Sequence, residues 1–176
     1  MRILVTRPRD DAEGFAEKLR ARGHAVLIEP LLDIRHLPGV TVDLDGVQAL
    51  LFTSANGVRA FAAASPRRDL GVLAVGDATA AAARAVGFNA VQSAGGNVED
   101  LARLAIAVLR PANGALFHAA GSAIAGDLSG RLEAAGFSVR RAVLYRAETA
   151  TALTAETRAA LASGAVDVVE IGRAHV

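Results

Sequence analysis

The stretch that decides the fold is residues 49–58, ALLFTSANGV. Its first part, Ala49 to Thr53, is a continuous run typical of a strand that is buried on both faces. Ser54 follows directly, and a serine in this place can cap the N-terminus of a helix that we expect to continue to about Ala64. The stretch therefore predicts a strand that leads straight into a helix, which is the repeating unit of a parallel sheet.

The same unit recurs along the chain. The predicted strands are 1–6, 25–28, 49–53, 70–75, 89–92, 115–118, 138–146 and 166–169, with a weakly alternating segment at 31–37. The predicted helices are 10–22, 55–64, 77–86, 97–109, 124–135 and 154–162. This alternation predicts an α/β protein whose parallel sheets are flanked by helices, as in flavodoxin-like and Rossmann-like folds.

The alternation of strands and helices predicts two domains. The alternation is interrupted near residue 35 and then resumes. We therefore expect a second domain at 36–147 and a discontinuous first domain at 1–35 plus 148–169. The chain crossings near 33–37 and 144–148 would then form a hinge. The tail 170–176, EIGRAHV, breaks off the last strand without turn residues and resembles a translated sequencing adapter, so we expect it to be non-native. The alternative is an ordinary C-terminal tail.

The composition excludes several classes of function. With 19 basic and 18 acidic residues, the net charge of +1 argues against an electrostatic nucleic-acid binder. The chain has no cysteine, which excludes thiol nucleophiles and cysteine-ligated metals, and its four histidines lack metal-ligand spacing. No apolar run approaches the length of a membrane span. We therefore expect a soluble, intracellular protein, cytoplasmic in location, that binds neither nucleic acid nor membrane.

Small and hydroxyl-bearing residues follow four predicted strands, at VTRP (5–8), FTSANGV (52–58), VGDATA (75–80) and HAAGS (118–122). Ligands of open parallel sheets bind at such ends, where the N–H groups of helix N-termini suit phosphate or carboxylate. Plain helix capping is the alternative for each of them. None contains the glycine fingerprint of a dinucleotide site or a P-loop.

Single residues near these ends could carry chemistry. His118 could be an acid or base, or simply hydrogen-bond a neighbouring loop. Tyr145, the only tyrosine, could donate a hydrogen bond or a proton, or lie at the edge of the core. Arg7, Arg59 and Arg146 could pair with carboxylates, although a solvated surface position is the commoner fate of each.

The ordered set VTRP, FTSANGV, VGDATA, SAGGNVEDLA (93–102) and VLYRAE (143–148) resembles the uroporphyrinogen-III synthase family over residues 1 to about 169. The resemblance implies a two-domain α/β enzyme with its active site between the domains. It implies that hydroxymethylbilane, a linear tetrapyrrole with eight carboxylates, is closed to uroporphyrinogen III with inversion of the last ring and loss of water. It implies no cofactor, and a monomer that could receive its substrate from hydroxymethylbilane synthase.

The resemblance assigns Tyr145 a catalytic role in the departure of the substrate hydroxyl. The substrate-binding residues that we predict at the strand ends are Arg7, Thr53, Ser54, Ala55, Asn56, Gly76, Asp77, Thr79, Gly121 and Ser122. Members of the family continue well past this sequence, so we expect the first domain to be incomplete here and the chain to have weak activity or none. Two alternatives stay open: a non-catalytic tetrapyrrole-binding or anion-binding regulatory module, and a nucleotide-binding α/β enzyme.

Overall fold

The computed structural model describes residues 1–123 and 126–171. Its strands are β1 (Arg2–Val5), β2 (Ala25–Ile28), β3 (Leu32–His36), β4 (Val47–Phe52), β5 (Gly71–Ala74), β6 (Val91–Ser93), β7 (Ala115–Gly121), β8 (Val139–Thr149) and β9 (Val168–Glu170). Its helices are α1 (Arg9–Arg20), α2 (Ala55–Ala64), α3 (Asp77–Ala85), α4 (Val98–Val108), α5 (Leu128–Ala134) and α6 (Ala155–Ala162), with a 3₁₀ turn at Pro111–Asn113. Among the described residues, no helix is long and apolar enough to cross a membrane.

The chain forms two compact units, and the first is discontinuous. It combines Met1–Arg35 with the chain from Ala147 onward. Its sheet has the order β2-β1-β9, and both strand pairs are parallel. Alternate residues of β1 face opposite sides: Ile3 and Val5 pack with Ala12 of α1, whereas Leu4 packs with Ala160 of α6. One buried strand thus joins both helices into a three-layer unit.

The second unit, His36–Arg146, contains most of a six-stranded sheet with the order β3-β8-β7-β4-β5-β6. The pairs from β8 to β6 are parallel. One face of the sheet packs against Val58 and Phe61 of α2 and Ala83 of α3. The other face packs against α4 and α5, through residues such as Leu101 and Leu132. Helices on both faces explain why β4 and β7 are almost continuously apolar.

The strand order of the second unit places a topological switch point between β4 and β7. The chain runs from β4 outward through β5 to β6, and then returns to the other side of β4 as β7 and β8. The helices that follow β4 and β7 therefore leave the sheet toward opposite faces. The carboxyl ends of β4 and β7 therefore mark the place at which open α/β sheets bind their ligands.

The prediction of parallel sheets flanked by helices is confirmed, but three boundaries differ by three or more residues. Strands β7 and β8 continue to Gly121 and Thr149 because neighbouring strands provide their hydrogen-bond partners. Helix α5 begins at Leu128 instead of residue 124, because the Asp127 side chain accepts the Gly130 N–H and caps it there; residues 124 and 125 lie outside the described residues.

The expected tail begins inside the fold. Glu170 is the last residue of β9 and lies opposite Val5 of β1, so β9 continues one residue past the predicted domain boundary at 169. That residues 170–176 are non-native stays a prediction. A strand position needs only backbone hydrogen bonds and a suitable partner, and the pattern of the tail could not exclude it. Residues 172–176 lie outside the described part. The independence of the domains, the incompleteness of the first and a hinge between them stay predictions.

Candidate functional site

The switch point of the second unit brings Ser54 and Tyr145 together. Ser54 follows β4 and caps α2, and its Oγ accepts the Gly57 N–H at 3.0 Å. Tyr145 lies in β8, and its hydroxyl oxygen is 2.8 Å from the same Oγ. The first turn of α2 carries no acidic residue. The positive end of the helix dipole is therefore not offset there by a carboxylate, which favours an anionic ligand.

Gly121 provides the space for the tyrosine ring. A bulge between Ala120 and Gly121 shifts the register, so that Gly121 lies opposite Tyr145. A Cβ atom on Gly121 would lie 2.7 Å from Cζ and 2.9 Å from the hydroxyl oxygen of Tyr145. The Ser122 N–H donates to the Tyr145 carbonyl at 2.9 Å. Glycine is thus required here for the ring to lie against the backbone of β7.

His118 and Thr53 lie side by side beneath this edge of the sheet. His118 is 8% exposed, and its Nε2 is 3.4 Å from the Thr53 hydroxyl. Burial lowers the pKa of His118 from 6.5 to about 4, and the nearby Arg141 guanidinium adds to the effect. The imidazole is therefore neutral near pH 7. It is a poor proton donor at that pH, which weakens the expectation of an acid–base role.

Arg141 was not among the predicted site residues. Its Nη2 donates to the Gly121 carbonyl at 2.8 Å, which holds the end of β7 next to β8. The sequence contains a signal, because arginines at 140 and 141 must point to opposite faces of a strand. It could not show which of the two faces the end of β7.

The remaining predicted residues of the FTSANGV and HAAGS ends occupy varied environments. Ala55 and Asn56 are half-buried in the first turn of α2, where the Asn56 side chain accepts a hydrogen bond from the Arg59 guanidinium at 2.5 Å. Ser122 is exposed just past the end of β7, and Arg146 is exposed directly after Tyr145. The residues that follow Ser54, Gly121 and Tyr145 in the chain are therefore half-buried or exposed.

The VGDATA turn lies at the end of β5, which is the neighbour of β4. Gly76 is the N-cap of α3 and provides no side-chain cap, so this helix begins on backbone groups alone. Asp77 is exposed in its first turn, whereas Thr79 is only 6% exposed. The backbone of this turn is thus better placed to meet a ligand than the Thr79 hydroxyl.

Arg7 belongs to the first unit, where a carboxylate already holds it. Its Nε lies 3.0 and 2.9 Å from the two carboxylate oxygens of Glu170, and its Nη2 lies 2.6 Å from Oε1. The guanidinium also covers the ring of Phe15 at 4.5 Å. The hydrogen bonds that Arg7 donates to this carboxylate raise the pKa of Arg7. Arg7 is therefore shaped to bind a carboxylate in two-point fashion, and here the carboxylate comes from β9.

A second carboxylate of the first unit is buried and satisfied. Glu29 follows β2 and is 4% exposed. It accepts the Thr154 N–H at 3.1 Å, the Thr154 hydroxyl at 2.5 Å and the Thr157 hydroxyl. Burial acts to raise the pKa of Glu29, but these hydrogen bonds outweigh it and lower the pKa. Within the described residues, no group of three or more histidine, cysteine, aspartate or glutamate side chains could hold a metal ion.

Comparison with known proteins gives the family. The sequence model described as uroporphyrinogen-III synthase HemD matches residues 13–171 of this chain. The chain belongs to the uroporphyrinogen-III synthase family. A protein of Methanocaldococcus jannaschii, provisionally named uroporphyrinogen-III synthase, is 36% identical over 58 residues. That match spans 33% of this chain and 24% of the relative.

Solved structures show the same fold. The uroporphyrinogen-III synthetase of Helicobacter pylori superposes with a TM-score of 0.60 at 20% identity, over 92% of this chain and 68% of that chain. A mutant uroporphyrinogen III synthase of Thermus thermophilus gives 0.55 at 20% identity, over 96% and 71%. Two-domain α/β folds of uroporphyrinogen-III synthases are thus the structural relatives of this chain.

Proposed function

We propose that this member of the uroporphyrinogen-III synthase family closes hydroxymethylbilane to uroporphyrinogen III, with inversion of the last ring and loss of water. The observation that carries the proposal is the Tyr145 hydroxyl, held 2.8 Å from Ser54 at the N-terminus of α2. This phenol lies at the switch point of a parallel sheet, where ligands of such folds bind.

In this reaction the protein mainly has to bind the substrate and donate a proton. The terminal C–O bond of the substrate breaks, and the hydroxyl leaves as water with the proton of the Tyr145 phenol, which the N–H proton lost from the same pyrrole ring restores. The resulting azafulvene is attacked by the last pyrrole ring to give a spiro intermediate, which rearranges to the inverted product. The protein mainly selects the attacking carbon by fixing the conformation of the substrate.

Backbone N–H groups are the proposed partners of the substrate carboxylates. The turns that begin α2 and α3 follow neighbouring strands, and both present helix N-termini at one edge of the sheet. In this proposal Thr53, Ala55, Asn56, Gly76 and Asp77 contribute mainly through backbone groups. Such groups bind anions without a large net charge, in agreement with the value of +1.

Gly121 and Ser122 border the phenol in the same proposal, and Thr79 supports the turn from its buried position. Arg7 would bind one carboxylate of the substrate, which must first displace Glu170. This occupied arginine is the observation that favours the second candidate, a module that binds tetrapyrroles without converting them. A monomeric state, a cytoplasmic location and transfer of substrate from hydroxymethylbilane synthase belong to the proposal and rest on the family alone.

The test is the isomer ratio of the product. The 176-residue chain is mixed with freshly made hydroxymethylbilane, the products are oxidised, and isomers I and III are separated; the Helicobacter pylori enzyme is the positive control. The proposal expects isomer III in excess, formed at least several-fold more slowly by Tyr145→Phe. Isomer I alone, formed at the spontaneous rate, would reject the enzyme; tetrapyrrole binding in that case would establish the module. An unchanged rate in Tyr145→Phe would remove this residue from the mechanism.

A further inference from the structure

The hydroxyl of Ser54 is already engaged in the folded protein. A serine hydroxyl has one proton to donate and two lone pairs that can accept. One lone pair of the Ser54 Oγ accepts the Gly57 N–H at 3.0 Å, and the Tyr145 oxygen lies 2.8 Å away. We infer that Ser54 is a positioning residue that orients the Tyr145 phenol, and that it is not a direct ligand of the substrate. This inference deepens the proposed function and rests on it.

The hydrogen bonds can form a chain with one direction. Gly57 donates its N–H to Ser54, Ser54 donates its hydroxyl proton to the Tyr145 oxygen, and the phenol proton then points away from both. In this arrangement the phenol is free to donate to the leaving hydroxyl of the substrate. The bond from Gly57 polarises Ser54 and makes its hydroxyl a better donor to the phenol. Each group donates one proton, so no hydrogen-bonding capacity is exceeded.

The contacts of the Tyr145 ring indicate that Ser54 sets the position of the phenol hydroxyl. Gly121 offers no side chain, the ring lies where its Cβ would be, and Tyr145 packs against the core of the second unit. The backbone of Tyr145 is fixed by the Ser122 N–H and by the pairing of β8 with β7. Among the described contacts of the phenol oxygen, the Ser54 hydroxyl is the hydrogen-bond partner. Removal of Ser54 would therefore take away the hydrogen bond that fixes the phenol hydroxyl, while the backbone of Tyr145 stays in place.

The composition of the chain allows a direct measurement of this effect. Tyr145 is the only tyrosine and the chain has no tryptophan, so the tyrosine band of the near-ultraviolet circular dichroism spectrum comes from one residue. Tyr145→Phe gives the background. We expect Ser54→Ala to lose more than half of the band, Ser54→Thr to retain it, and Ser65→Ala, the same change at the opposite end of α2, to leave it unchanged. A full band in Ser54→Ala would overturn the inference.

Loss of the cap could itself unfold α2, and a second variant separates the two effects. Glycine is tolerated at the N-cap of a helix but has no hydroxyl. Ser54→Gly should therefore keep the far-ultraviolet spectrum of the wild type and still lose the tyrosine band. If Ser54→Gly keeps both, the phenol is held by other groups and the inference fails.

The kinetics distinguish positioning from direct binding. Ser54→Ala should lower kcat for hydroxymethylbilane by roughly the factor of Tyr145→Phe and leave KM within about twofold, and the double variant should be no slower than Tyr145→Phe. Multiplied losses in the double variant, or a raised KM with unchanged kcat, would make Ser54 a substrate ligand. If the wild type forms no isomer III, the proposed function fails, whereas the tyrosine band still decides whether Ser54 positions Tyr145.

Discussion

The buried imidazole of His118 predicts how the stability of the protein depends on pH. His118 lies in β7 opposite Leu51 of β4, and its Nδ1 has no hydrogen-bond partner among the described residues. Burial lowers its pKa to about 4, with Arg141 adding to the effect. We propose to replace it with leucine, which is similar in size but cannot take up a proton.

The magnitude follows from the two pKa values. Above about pH 6.5 the ring is neutral in both the folded and the unfolded chain. Between 6.5 and about 4 the unfolded chain binds a proton that the folded chain does not, so the free energy of unfolding falls with the pH. The difference between the two pKa values lowers the free energy of unfolding by about 3 kcal/mol once the pH has fallen to the pKa of His118 in the folded protein. Below that pH both states carry the proton, and the contribution of His118 no longer changes.

The assay is urea unfolding, followed through the emission of Tyr145 because this residue lies in the same unit as His118. Wild type, His118→Leu and the exposed control His36→Gln are compared from about pH 7 to about pH 4.5. Other titrating groups act equally in all three proteins, so the difference between wild type and His118→Leu isolates the imidazole. We expect the wild type to lose about 2–3 kcal/mol more than His118→Leu. Parallel curves for these two proteins would refute the reasoning, since they would mean that the ring is hydrated in the fold.

Four further variants test a buried hydrogen-bond cluster, the packing of two glycines and one ion pair. Glu29→Gln should lower the free energy of unfolding by about 1–3 kcal/mol, because two threonine hydroxyls lose their carboxylate acceptor. Folding lowers the pKa of Glu29, so urea titrations should show the full difference between wild type and variant above pH 4.5, the ordinary pKa of a glutamate. The difference should disappear as the pH falls through the pKa of Glu29 in the folded protein. Gly57→Ala should destabilise by about 1–3 kcal/mol, since its Cβ would lie 2.7 Å from the Ala119 carbonyl oxygen. Gly14→Ala, which meets nothing within 4 Å, should instead stabilise by about 0.5–1 kcal/mol; equal melting temperatures for the two variants would contradict the packing of α2 on β7. Glu170→Gln should cost about 1 kcal/mol and speed hydrogen exchange in β9, and unchanged exchange would show that the bidentate pair contributes nothing.

The sequence predicted some of the helix boundaries that are set by a capping side chain of the same segment. The serine at 54 predicted the start of α2, and it accepts the N–H of Gly57 as an N-cap should. The start of α5 was missed because the apolar spacing of Leu128 and Leu132 can be extended backward past the capping Asp127. The length of β7 was missed because HAAG has little strand preference of its own. Its extension depends on strands on both sides, which a local pattern does not contain.

The candidate site was predictable as residues but not as contacts. Ser54 and Tyr145 were both singled out, yet 91 residues separate them, and their hydrogen bond depends on a bulge that no local pattern announces. Arg7 was expected to bind a carboxylate, but its present partner, Glu170, belongs to the stretch that we predicted to be non-native. The long-range pairing of strands decides both contacts, and it is the part of a fold that sequence periodicity constrains least.

The pairing of β1 with β9 has a consequence for the protein as it is being synthesised. Ile3 pairs with Val168, so this side of β1 has no partner until residue 168 has left the ribosome. At about 5–20 residues per second, translation leaves roughly 10–30 s between the two strands. Throughout that interval the nascent chain carries an apolar strand with one open edge, a template on which a neighbouring nascent chain can add a strand. Translation speed, and any chaperone that shields the first residues, should therefore influence how much of this protein reaches its native fold.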